Sequence, residues 1–193
     1  MTPESASLGL AVVFVVTWIA AARWAGPTVG GLPKRVQKPL YVGALVAGLL
    51  LTIAILRWPA LRARLWKENL PFDWAMVGLC AIGFGWCWWA RLHLGNLWSA
   101  GVTLREGHRV IDTGPYGIVR HPIYTGGMLA AFAFAAARGR PFDLLIALLV
   151  AVFFTCKAWL EERLLQEEFG TRYDAYRRRV PMLVPFLRLR GSR

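Results

Sequence analysis

The chain has 193 residues, of which 56% are hydrophobic; it carries 10 Trp and has a mean hydropathy of +0.44. That composition excludes a disordered chain and an ordinary soluble domain, and it places residues 1–193 in a bilayer as a single membrane domain. The formal net charge of +12 does not imply nucleic acid, because the basic residues lie between and after apolar runs, where membrane topology and anionic lipid account for them. Cys80, Cys87 and Cys156 all fall inside apolar runs, with neither metal-ligand spacing nor disulfide logic.

Ser5 to Ala22 is an uncharged run long enough to span. Only Glu4 precedes it within its first residues and no basic stretch does, so a retained helix fits better than a cleaved leader. Gly26 to Pro39 reads as a loop with Lys34, Arg35 and Lys38, Leu40 to Leu56 as a second span, and Arg57 to Leu70 as a polar connection. Trp74 to Ala90 is a third span, in which Ala81 and Gly85 form a small-xxx-small pair suited to close helix packing. Residues 1–90 thus hold three N-terminal spans, and 91–193 hold a long polar loop, a helical hairpin and a C-terminal helix. The hairpin pairs Pro122–Ala137 with Leu144–Leu160 across a tight Arg138-Gly-Arg-Pro141 turn. The expected class is an all-α integral membrane protein with about five transmembrane helices, a helical C-terminal extension and a cytoplasmic cofactor site. The arginines after Glu161 and the Lys34 loop favour the cytoplasm for that end, although the Arg57–Lys67 connection then carries basic residues outward.

Gly114 to Gly127 is the one long stretch that reads neither as a span nor as a plain linker. Pro122 keeps His121 out of helical conformation and can itself open a helix, which leaves Arg120 and His121 at a helix N-terminus, a natural anion site. Lys157 and Glu161 are four apart on the last long helix and share a face at the membrane boundary. Such a pair is either a functional site or an interfacial ion pair whose lysine snorkels to the headgroups. Together the two constellations offer a zwitterion receptor, with Arg120 and His121 for a carboxylate and Glu161 for an ammonium. The amino-acid end of S-adenosylmethionine would fit it.

The residues Arg120-His-Pro-Ile-Tyr124-x-Gly126, then Glu161-Glu162, then Phe169-Gly-x-x-Tyr173-x-x-Tyr176-x-x-x-Val180-Pro181 resemble the isoprenylcysteine carboxyl methyltransferase family, part of a wider group with phospholipid N-methyltransferases. The resemblance covers about Trp98 to Phe186. It implies a membrane methyltransferase using S-adenosylmethionine, with a cofactor pocket formed by Thr103, His108, Arg109, Val110, Ile111, Tyr116, His121, Pro122, Ile123, Tyr124 and Glu161. Without it, His108 reads equally as a solvated residue. Thr103 stands where the family often has Gln. Lys157 stands where prenylcysteine enzymes carry an Arg facing the substrate carboxylate; it keeps the charge and loses the fork.

The expected partners are membrane lipids and a lipophilic small-molecule or prenylated substrate, with no nucleic acid and no required protein partner. Arg120, Lys157 and Glu162 are the candidate catalytic residues: a carboxylate acceptor needs only orientation by Lys157, whereas an amine acceptor needs a base such as Glu162. In-line methyl transfer needs no metal. A nicotinamide-dependent membrane reductase and a non-catalytic scaffold are the competing readings.

Overall fold

A computed structural model describes residues 1–107 and 109–187. It is mainly helical: α1 (Pro3–Ala20), α2 (Lys34–Arg57), α3 (Leu70–Leu94), α4 (Pro122–Arg138), α5 (Pro141–Phe169) and α6 (Thr171–Arg179). Among the described residues, four stretches are long and apolar enough to cross a membrane, namely Pro3–Trp24, Lys34–Arg57, Leu70–Leu97 and Pro141–Phe169. The remaining one of the five expected membrane helices is α4, whose 17 residues reach only about 25 Å, short of a hydrocarbon core of about 30 Å. It is buried instead by its neighbours, and Ala130, Ala133, Ala135 and Ala137 all lie in the core.

The helix ends follow local chemistry. Asn69 accepts a hydrogen bond from the Phe72 amide at the start of α3, and Pro122 and Pro141 open α4 and α5. Gly139 closes α4 at φ 62° and ψ 25°, a left-handed cap that glycine adopts without strain. The resulting turn is short, so α4 and α5 return as the expected hairpin.

Two expectations about the connections are corrected. The loop from Gly26 contains a strand, β1 (Thr28–Gly31), paired antiparallel with β2 (Thr103–Arg105) from the long polar segment. Such short strands carry no periodic signal. Gly31 allows the pairing: at φ +146°, a Cβ there would lie 2.6 Å from the Thr103 Cα. Helix α2 then starts at Lys34, ahead of the apolar run, and includes Pro39. Its Gln37 clamps the polar segment, accepting from the Val102 amide at 3.0 Å and donating to the Leu32 carbonyl at 2.6 Å.

The tight helix crossing also differs from expectation. Ala81 and Gly85 point outward, with no atom near a Gly85 Cβ. The buried face of α3 is Cys80, Gly83, Cys87 and Ala90, and it meets α4 where Gly83 faces Gly126. A Cβ on Gly83 would lie 2.7 Å from the Gly126 carbonyl oxygen, and one on Gly126 would lie 2.7 Å from that of Gly83. Backbones in such contact leave room for nothing larger.

At the hairpin-turn end, several arginines are paired inward. Arg138 bonds Asp143 at 2.9 Å and Arg64 bonds buried Asp73 at 3.1 Å. Part of the basic charge in the Arg57–Leu70 connection is therefore structural.

Candidate active site

Helix α5 has 29 residues, about 44 Å of helix, longer than a bilayer core needs. Its last turns therefore carry Lys157, Glu161 and Glu162 beyond the apolar run. There they meet the start of α4, and α6 and the residues after it fold back over the same place. Pro181 and Met182 accept from the Arg120 and His121 amides at 2.8 and 3.1 Å, and Leu183 accepts from the Thr125 hydroxyl at 2.6 Å.

Adjacent carboxylates on α5 have different fates. Glu162 receives Arg120 through two bonds, Nε to Oε1 at 2.7 Å and Nη2 to Oε2 at 2.9 Å. The Tyr173 hydroxyl donates to it at 2.9 Å, His121 Nε2 lies 3.1 Å away, and Arg177 Nε lies 3.4 Å away. Arg120 also donates to the Arg177 and Val180 carbonyls. Glu162 is thus fully engaged in joining α4, α5 and α6.

Glu161 is less committed. It accepts from the Tyr124 hydroxyl at 2.5 Å, lies 3.4 Å from His121 Nδ1 and lies 4.0 Å from Lys157 Nζ. His121 sits between the two carboxylates with each ring nitrogen facing one of them. Burial pushes its pKa down, but the bonds to Glu161 and Glu162 and their negative charge outweigh burial and raise it. Lys157 is buried, donates to the Ala100 carbonyl at 2.6 Å, and lies 5.4 Å from the Tyr124 ring centre.

These groups border one cavity of about 470 Å³. Of the expected cofactor residues, Thr103, Arg109, Val110, Ile111, Tyr116, His121, Pro122, Ile123, Tyr124 and Glu161 all line it, as do the expected catalytic residues Lys157 and Arg120. His108 lies outside the described residues. Glu162 is not among the residues lining the cavity, and its carboxylate is already engaged by Arg120, His121 and Tyr173. Arg120 and His121, the expected anion site, each have carboxylate partners in the structure. Arg109 is the exposed cavity cation with no ion partner among the described residues. Burial, followed by the nearby Glu161 charge, pushes the Tyr116 phenol up, so it stays a donor.

Other lining residues carried no legible signal in the sequence. Phe14 and Trp18 of α1 sit in a uniformly apolar run, Trp98 is one of many tryptophans, and Phe154 of α5 stacks on Tyr124 at 4.9 Å. Helix α6 brings Tyr173 and Tyr176 to the wall.

A sequence profile described as phospholipid methyltransferase matches residues 74–172, just over half of the chain. The chain belongs to this family. It is 33% identical to methanethiol S-methyltransferase 2 of Bradyrhizobium diazoefficiens over 81% of this chain and 62% of that protein. It is 27% identical to protein-S-isoprenylcysteine O-methyltransferase B of Arabidopsis thaliana over 92% of this chain and 91% of that protein. Among solved structures, it resembles the eukaryotic intramembrane Ras methyltransferase, isoprenylcysteine carboxyl methyltransferase, with a TM-score of 0.56 at 25% identity. That match covers 77% of this chain and 53% of the other. The chain therefore spans about half to nine-tenths of the length of these relatives. The family is one of membrane methyltransferases, and the mainly helical architecture expected from the sequence is the one observed.

Proposed function

We propose that the protein is an S-adenosylmethionine-dependent membrane methyltransferase acting on an anionic group, thiolate or carboxylate, of a lipophilic acceptor. The observation that carries this reading is that Glu161, Lys157 and Arg109 line the same cavity, the first two 4.0 Å apart and Arg109 with no ion partner among the described residues. The donor set fits a zwitterion with an adjacent cation: Arg109 suits the amino-acid carboxylate, and Glu161 suits the positive charge. When bound, S-adenosylmethionine would supply an electrophilic methyl group to the acceptor's electron pair, the carbon–sulfur bonding pair remaining on sulfur as a neutral thioether. Lys157 holds the acceptor anion by charge, and its own position is fixed by the Ala100 carbonyl. Arg120 and Glu162 position His121 and the start of α4, and so act on the pocket through its shape. Thr103, Val110, Ile111 and Ile123 exclude water along the wall, which strengthens each charge inside.

A carboxylate acceptor needs no base, and a thiol reacts as the thiolate that the Lys157 charge favours, its proton passing to solvent. An amine needs one, and the carboxylate nearest to that role, Glu162, is saturated outside the cavity; the relatives quoted above likewise act, by name, on a thiol or an isoprenylcysteine. The cavity's end of the bundle also holds the basic start of α2 and the α6 arginines, which supports a cytoplasmic orientation.

Calorimetry of the detergent-purified protein with S-adenosylhomocysteine tests the reading. Micromolar binding that Glu161→Gln weakens at least about tenfold is expected. Binding of NADPH in its place would overturn the assignment and favour a reductase.

A further inference from the structure

The polar part of the cavity is assigned above to the cofactor and the reacting groups. A second part of its wall has no such role. It is apolar and comes largely from α1, through Phe14, Trp18 and Ile19, and from Ala22 in the helical turn that follows. Trp98 completes it, with its ring 5.7 Å from Trp18 and nearly perpendicular. Ile19 and Ala22 are exposed at this wall.

One buried cation holds this wall together. Arg91 is 2% exposed. Its guanidinium carbon lies 3.3 Å from the Trp98 ring centre and 5.2 Å from that of Trp18, and it donates to the Ala21 carbonyl at the end of α1. Its Nε and Nη1 have no hydrogen-bond partner among the described residues. A buried arginine with donors unspent is costly. Here the stacking surface of two tryptophans and the tie to α1 are what it provides in return.

The wall's origin points to its role. The family match covers residues 74–172, which include the cofactor-wall residues named above together with Arg91 and Trp98, whereas the α1 part of this wall, with Trp18, lies outside it. The relatives differ in the acceptor their names state and share the methyl transfer. We infer that Trp18 and Trp98, locked by Arg91, form the acceptor subsite and select acceptors by the size of the apolar group next to the nucleophilic atom. A cavity of about 470 Å³ is toward the lower part of the range of about 300–1,000 Å³ that encloses one drug-sized ligand. With a nucleoside cofactor inside, little room remains between the tryptophans, and the subsite takes a short unbranched aliphatic thiol better than a long or branched one. Trp18 and Trp98 are specificity residues. Arg91 is a positioning residue that acts through them.

This inference rests on the methyltransferase reading, and its test separates the two. Methyl transfer to a series of linear alkanethiols of increasing length would be measured in detergent, with S-adenosylhomocysteine affinity measured beside it. The wild-type protein should prefer the short thiols. Trp18→Ala should shift the long-to-short ratio of kcat/KM by about tenfold toward long chains, and Ala22→Trp, which adds bulk at an exposed position, should shift it the other way. Arg91→Lys keeps the charge but loses the flat stack, and should blunt the preference while leaving cofactor affinity unchanged. An unchanged ratio in both Trp18→Ala and Ala22→Trp, with transfer intact, would overturn the inference. A change in cofactor affinity rather than in the ratio would also overturn it, by placing the cofactor at this wall. Failure of the wild-type protein to bind S-adenosylhomocysteine would instead sink the underlying reading.

Discussion

Arg120 and Glu162 meet through two parallel bonds, at 2.7 and 2.9 Å, across 42 residues of sequence, with both side chains nearly buried. The pair is the bolt joining α4, α5 and the returning tail. Breaking one side leaves the other charge buried and unpaired, which costs about 3–5 kcal/mol. Glu162→Gln should therefore lower the midpoint of thermal unfolding sharply in detergent, and Arg120→Lys should do so less, since it keeps the charge but not the fork. A Glu162→Gln protein with normal stability and lost catalysis would instead restore Glu162 as a base.

The His121 ring links stability to pH. Its folded pKa is raised above the ordinary value of about 6.5, since its bonds to Glu161 and Glu162 outweigh the burial that pushes it down. The stabilisation from this residue is fully present below about pH 6.5 and is lost as pH rises through the folded value. Unfolding midpoints should fall over that window in the wild-type protein. His121→Asn should flatten the profile and lower its acidic side.

The crossing of α3 and α4 tolerates no side chain. A Cβ on Gly126 would stand 2.8 Å from Cys87 Sγ and 2.7 Å from the Gly83 carbonyl oxygen. Gly126→Ala should destabilise by about 1–3 kcal/mol through overpacking. Gly85→Ala, which faces open space, should be neutral or slightly stabilising in the same unfolding experiment.

Arg109 is exposed and lines the cavity without an ion partner among the described residues. Arg109→Gln should weaken S-adenosylhomocysteine binding by about tenfold at low salt, with no change in unfolding temperature. The difference from the wild-type protein should shrink as salt is added, because exposed charges are screened. A loss of affinity independent of salt would argue against a charge contact.

Much of the site was legible because it rests on local chemistry. Pro122 after His121 announces a helix start, and the spacing of Lys157 and Glu161 puts them on one face. The resemblance of Arg120–Gly126 and Glu161–Glu162 to a known motif named the polar lining residues around His121 and Glu161. Pairing was not legible. Nothing in the order of residues says that Arg120 turns to Glu162 and leaves Arg109 to the cavity, because that depends on the tail folding back through Pro181 and Met182. The β1–β2 pair was missed because strands this short have no period to read. The α1 wall was missed because Trp18 lies in a run that is apolar on every side.

The most direct measurement is a single-turnover transfer of labelled methyl from S-adenosylmethionine, with a short alkanethiol, a prenylcysteine and a phospholipid amine offered separately to wild-type and Lys157→Gln protein. The account predicts transfer to sulfur or carboxylate oxygen by the wild-type protein, reduced by about 10²-fold or more in Lys157→Gln. Transfer to the amine alone, or equal transfer by the two proteins, would contradict it.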